Sequence, residues 1–154
     1  MKTLFYIFVS IFLIIGVLFA GLSVYSRKQP ELGMIGGQLG ACPMTPNCVC
    51  SEYSGEVAFV EPLRYSTTAT EAWDKLKQAI IETGGIILTE QGGYAHARYE
   101  TSLMRYVDDV EFRLDQDKQL IHVRSASRVG HSDLGENQKR VNRIRAVFNT
   151  IASE

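Results

Sequence analysis

The chain has 154 residues, 45% of them hydrophobic, with 16 Lys and Arg against 17 Asp and Glu and a formal net charge of -1. That length accommodates one domain plus an appendage rather than two domains of ordinary size. The even charge balance excludes the overall basicity that marks nucleic-acid-binding domains, so no nucleic acid partner is expected.

Residues 4–22 read LFYIFVSIFLIIGVLFAGL without a charge. As a helix rising about 1.5 Å per residue, the stretch matches the roughly 30 Å hydrocarbon core of a bilayer. It exceeds the apolar run of a cleaved signal peptide, about 7–15 residues, and Leu18 stands where a small residue is expected two positions before Ala20. Residues 1–25 are therefore expected to be a single uncleaved transmembrane anchor, with the membrane as partner through residues 4–22. Lys2 on one flank and Arg27 and Lys28 on the other leave the positive-inside rule almost balanced. Residues 26–40, rich in Gly and polar residues and without periodicity, read as a flexible tether.

All three cysteines, Cys42, Cys48 and Cys50, fall in the short segment ACPMTPNCVCS. Pro43 and Pro46 hold turn or extended backbone that brings Cys42 and Cys48 within reach of a structural disulfide, leaving Cys50 as the odd thiol. Neither a CxxC nor a paired-ligand pattern is present for zinc or redox chemistry, and no cofactor is expected. An oxidised pair belongs outside the cytosol, which breaks the topological tie toward an extracytoplasmic domain, periplasmic in a Gram-negative cell.

Thr68 and Glu71 form a T-x-x-E capping box, and Ala72, Trp73, Leu76, Ala79 and Ile80 recur at helical spacing up to Gly84-Gly85. The pattern predicts an amphipathic helix over 69–83 with Trp73 as a core anchor. Residues 86–90 and 94–101 read as strands around a Gly-Gly turn, with Ala95, Ala97 and Tyr99 facing one way and His96 on the opposite, solvated surface. A four-residue loop at 115–118 then joins two longer strands in a register that sets Phe112 opposite Ile121, Val110 opposite Val123 and Asp108 opposite Ser125. On the other face it pairs Asp109 with Arg124 and Glu111 with His122, a charge-paired sheet surface. The final helix is expected to start at Ser132 or Asp133, with Glu136 completing a capping box, and to dock through Val141, Ile144, Phe148 and Ile151. The late basic residues Lys139, Arg140, Arg143 and Arg145 read as its solvated face.

The segment 106–140 concentrates the polar chemistry. Alternation turns Asp108 inward, where a carboxylate needs hydrogen bonds or a cation. Asp108, Arg124, Ser125, Ser127, Arg128, His131 and Asn137 are the candidate lining of a pocket for a small anionic ligand, beside a helix N-terminus that favours anions unless Asp133 already occupies its amides. Two further readings use the same residues. One is a hydrolase built from Ser125 or Ser127 with His131 and Asp133 or Asp108, though the nucleophile-elbow motif is absent. The other is a divalent metal site from Asp108, Asp109 or Glu111 with His122 or His131, weakened because alternation sends Asp108 and Asp109 to opposite faces.

Four ordered motifs, CPxxPNCVxS at 42–51, VDDVEF at 107–112, RSASRVG at 124–130 and SDLGxN at 132–137, resemble the domain of unknown function 1499 family. Where the commonest pattern of that family reads GxNRxR, this sequence has Gly135-Glu136-Asn137-Gln138-Lys139-Arg140, so the basic character is partly kept. The resemblance covers residue 41 to nearly the end and implies no established activity. The element order predicts an α+β domain over 41–154, a four-stranded antiparallel sheet covered by two helices. The expected function is a membrane-anchored binding module for a small anionic ligand, lipid or protein partner rather than an enzyme.

Overall fold

In the computed structural model, which describes residues 2–101 and 104–152, the chain opens with α1 (Lys2–Ser26) and closes with α3 (Glu136–Ala152). Between them lie β1 (Met34–Ile35), β2 (Gln38–Leu39), β3 (Cys48–Cys50), β4 (Leu63–Arg64), α2 (Ala69–Glu82), β5 (Ile86–Gln91), β6 (Tyr94–Glu100), β7 (Val107–Asp115) and β8 (Leu120–Ser127). The fold is α+β, and every strand pairing is antiparallel.

The main sheet has six strands rather than the expected four, in the order β3-β8-β7-β6-β5, with β4 pairing β8 below β3. The two extra strands are three and two residues long, too short for a period-2 pattern to announce them. β7 and β8 pair Asp108 with Ser127, Val110 with Ser125, Glu111 with Arg124 and Phe112 with Val123, two residues away from the expected register. The turn occupies 116–119, where Gln119 takes φ 54° and Asp115 Oδ1 accepts from the Lys118 amide at 3.2 Å. A shift of two leaves every side chain on its expected face, because the strand period is two.

One face of the sheet carries the main core. Ala95, Ala97, Val110, Phe112, Ile121 and Val123 meet Trp73, Leu76 and Ile80 of α2 and Val141, Ile144 and Phe148 of α3. α2 begins on the Thr68/Glu71 capping box, and beyond Thr83 Gly84 takes φ 88°, a left-handed turn that glycine adopts without a Cβ penalty. Trp73 donates its indole N–H to Glu90 at 2.9 Å, which satisfies its one polar atom.

The second face is not solvated. Residues 26–40, expected as a tether, lie along it: Leu39 is fully buried with Cys50 and Tyr94, and the Gly33 amide donates to Glu111 at 3.2 Å. Tyr53 Oη donates to the Leu39 carbonyl and the Leu39 amide to Glu52, which fixes the β1-β2 hairpin over β7 and β8. Cys42 and Cys48 form a disulfide with a Cα–Cα distance of 5.6 Å, and Cys50 is free and buried. Burial pushes the Cys50 thiol above its ordinary range, so it is a packing residue rather than a reactive one.

Candidate functional site

Two polar networks occupy the two faces of β7 and β8. On the helix face, Asp108 is 3% exposed and accepts from Arg140 Nη2, while Arg140 Nη1 donates to Asn137 Oδ1 at 2.6 Å and Ser125 Oγ at 3.1 Å. Asn137 donates onward to the Asn47 carbonyl at 2.9 Å and Ser127 Oγ at 3.0 Å, and Asn47 donates to the Gly130 carbonyl at 2.7 Å. The Arg140 guanidinium also lies 5.2 Å from the centre of the Tyr99 ring. Burial raises the Asp108 carboxyl above its ordinary range despite the opposing pull of Arg140 and Ser127.

On the second face, Asp109 takes both prongs of Arg128, at 2.7 and 2.6 Å, and accepts from His96 Nε2 at 2.7 Å. Burial would raise Asp109, but the hydrogen bonds from Arg128 and His96 outweigh it and hold the carboxyl below its ordinary range. Glu111 accepts from Tyr94 Oη and Arg124 Nη1, each at 2.9 Å. Arg113 grips Glu52 at 2.7 and 3.2 Å, and His122 Nδ1 lies 3.2 Å from Ser51 Oγ.

His122 gives this face a pH dependence. Burial disfavours its imidazolium and holds it below the ordinary histidine range, although Glu52 and Asp115 pull the other way and Arg113 adds to the lowering. The unfolded chain therefore takes up that proton first, so its stabilising effect is complete above a pH of about 6.5 and is lost as the pH falls below it. Thermal melts should show declining stability from about pH 7 toward pH 5. His122→Asn should flatten that limb, while the carboxylate-dependent loss below about pH 4 remains.

The seven candidate residues do not form one pocket. Asp108, Ser125, Ser127 and Asn137 belong to the helix-face network, Arg124 and Arg128 to the opposite face, and His131 is exposed in the loop before α3. The same alternation that separates Asp108 from Asp109 separates Ser125 from Arg124. Ser125 bonds to Asn137 and Arg140, and Ser127 to Asn137 and Asp108, while His131 is exposed and joins neither, so the hydrolase arrangement is not assembled among the described residues. Among the described residues no group of three or more His, Cys, Asp or Glu could hold a metal ion. α3 starts two residues or more later than expected, and Asp133 stands outside it, accepting from the amides of Gly135 at 3.0 Å and Asn137 at 2.6 Å. The helix N-terminus is thus occupied by the protein's own carboxylate.

Two residues central to these networks lie elsewhere than expected: His96, expected on a wet surface, and Arg140, expected in a solvated basic run, are both buried. Asn47, to which the sequence assigns no place, is buried as well. For Arg140 a signal existed: Asn137, Arg140, Val141, Ile144 and Phe148 share one helical stripe, which places the first two on the docking face.

One opening lies at the end of the sheet beside α1. Ser26, at the end of α1, is buried and accepts from the Val107 amide at 3.1 Å, while Arg128 Nη1 donates to the carbonyls of Ser26 at 3.1 Å and Arg27 at 3.3 Å. Next to this junction a cleft of about 350 Å³ is lined by Tyr25, Lys28, Asp109, Arg124, Ser127 and Arg128 among others. Arg124, one of its lining residues, has its Nε buried without a hydrogen-bond partner among the described residues. The lining carries three cations and one carboxylate, and three of the seven candidate residues meet there.

The family model described as Protein of unknown function (DUF1499) matches residues 38–148. The chain belongs to that family. Neither a curated protein nor a solved structure matches it. The DUF1499 span takes in the whole helix-face network and, on the second face, Asp109, Glu111, Arg124 and Arg128, but begins beyond Ser26, Lys28 and Gly33. The cleft therefore joins a wall of the DUF1499 domain to the segment that links it to α1.

Proposed function

We propose that this protein is a single-pass membrane protein whose carboxy-terminal domain faces an extracytoplasmic, oxidising space and binds a small phosphate- or carboxylate-bearing anion at the junction with its anchor. The cationic lining of the cleft, Lys28, Arg124 and Arg128 against the single carboxylate of Asp109, carries the reading. A guanidinium fork matches paired oxygens of a carboxylate or a phosphate group. Lys28 supplies charge from the anchor side, and the volume of about 350 Å³ suits a small ligand or one headgroup. α1, apolar over its length with no buried residue in its most apolar window, supports the anchor, and the Cys42–Cys48 disulfide supports the compartment. The cleft holds salt-bridged side chains rather than a nucleophile paired with a base, which favours binding over catalysis.

The test is a thermal-shift titration of the full chain with inorganic phosphate in phosphatidylcholine nanodiscs, repeated in discs containing phosphatidylglycerol. Saturation near 100 times Kd should stabilise the native protein by about 2.7 kcal/mol. Lys28→Ala should remove most of that gain while leaving the unliganded melting temperature unchanged, because Lys28 is exposed. Stabilisation by phosphate marks a soluble anion site, and stabilisation by the anionic lipid alone marks a headgroup site. Insensitivity to both would overturn the reading.

A further inference from the structure

The chain connection before β7 and the loop between β8 and α3 emerge at the same end of the sheet as α1, and both present apolar side chains there. Met104 and Arg105 face α1 across a cavity of about 490 Å³ whose other wall is Phe12, Ile15, Gly16, Phe19, Ala20 and Ser23. Ser23 Oγ donates to the Arg105 carbonyl at 3.5 Å. Gly16 lies seven residues before Ser23, about 10 Å along the helix at 1.5 Å per residue. Residue 104 is therefore alongside the uncharged run of α1 rather than beyond its end.

Leu134 is the second apolar tip. It is 87% exposed and takes φ 55°, a left-handed conformation that is uncommon for any residue but glycine and asparagine. An exposed leucine held in strained backbone is not explained by packing, and strain of that kind points to a surface that uses it. Leu134 and Met104 line one cavity of about 640 Å³ together with Tyr106, Lys139 and Arg143, so the two tips border the same opening. The acidic groups on this rim are already engaged: Glu100 with Arg105, Glu136 with Arg143, and Asp133 with the amides of Gly135 and Asn137. Arg27, Lys28 and Lys139 remain without a carboxylate partner among the described residues. Apolar tips with long cationic side chains at the same end of the domain match a bilayer interface, where the stems lie in the acyl region and the charges reach the headgroups.

We infer that this end of the domain is seated on the bilayer that α1 crosses, with Met104 and Leu134 inserted into the adjoining leaflet. The inference rests on α1 being a membrane anchor. It adds a second membrane contact that holds the domain upright, and it brings the opening beside Lys28 and Arg128 to headgroup level.

The full chain offers a direct depth measurement because Trp73 is its one tryptophan. Trp73 is buried on α2, about 14 Å along the helix from its end at Glu82, and Gly84 at the rim of the shared cavity lies beyond that end. In vesicles of phosphatidylcholine and phosphatidylglycerol brominated along the acyl chains, native emission should be unquenched. Leu134→Trp and, separately, Met104→Trp should each add emission that the brominated lipid removes. Leu134 is exposed, so its replacement should keep the native melting temperature and report position rather than misfolding. If the added emission of both variants is quenched no more than that of Trp73 while the chain stays in the vesicles, the seating is wrong. Release of the native chain by alkaline extraction would instead show that α1 is no anchor, and the inference would fall with that reading.

Discussion

Arg140→Ala is expected to cost about 3–5 kcal/mol of unfolding free energy, because it leaves a buried carboxylate without its countercharge. Arg140 donates to Asp108, Asn137 and Ser125 and stacks over Tyr99, so one truncation removes three hydrogen bonds and a ring contact from the helix-face network. A loss of that size is a large fraction of the roughly 5–15 kcal/mol that holds an ordinary domain together. Asp108, already raised by burial, would rise further without its partner. The sign follows: a carboxyl raised in the folded state is destabilising once the pH exceeds its unfolded value, so the deficit of the variant should shrink as the pH falls toward 4 or so. Denaturant melts of Arg140→Ala and of the double variant with Asp108→Asn check the cause. The double variant should recover part of the loss at neutral pH, since the amide needs no countercharge. A cost under about 1 kcal/mol for Arg140→Ala would mean that Asp108 reaches solvent through the neighbouring cavity, and the helix-face network would then regain a claim to be a binding site.

The elements that could be read in the sequence are those whose own residues repeat. α1, α2, β5 to β8 and α3 each span several turns or alternations, and α2 carries its capping box at the expected residues. The second face of the sheet was illegible for a physical reason. Asp109, Glu111 and Arg124 alternate with apolar neighbours as residues on a wet antiparallel face do. What buries them is a pair of two-residue strands and a stretch of irregular chain, which leave no periodic trace. The candidate site was misjudged differently. Arg124, Ser125, Ser127 and Arg128 are contiguous and chemically rich, but a strand distributes neighbours to opposite faces, so density in sequence became two networks in space. The Cys42–Cys48 disulfide and the left-over Cys50 were legible because Pro43 and Pro46 turn the chain between the pair.

Asp109→Ala should lower stability and raise anion affinity together. Its carboxylate accepts both prongs of Arg128 and the His96 N–H, and its removal strands the buried Arg128 guanidinium between the carbonyls of Ser26 and Arg27. Breaking such a pair from one side costs about 3–5 kcal/mol. Arg128 is the clamp between the end of β8 and the end of α1, so the loss should not be uniform. Hydrogen exchange should accelerate first at the Val107 and Gly33 amides, which bond to Ser26 Oγ and Glu111, and only later in the centres of β7 and β8. Arg140→Ala should show the reverse, with exchange rising across the sheet core. The affinity effect has the opposite sign because Asp109 is the one carboxylate lining the cleft, and its loss leaves Lys28, Arg124 and Arg128 facing any anion that enters. Phosphate should then stabilise the variant more than it stabilises the native chain, by differential affinity for the folded state alone. A purely structural ion pair would give the loss of stability without the gain in binding, and that outcome would return Arg128 to the fold and leave Arg124 and Lys28 without a ligand to share.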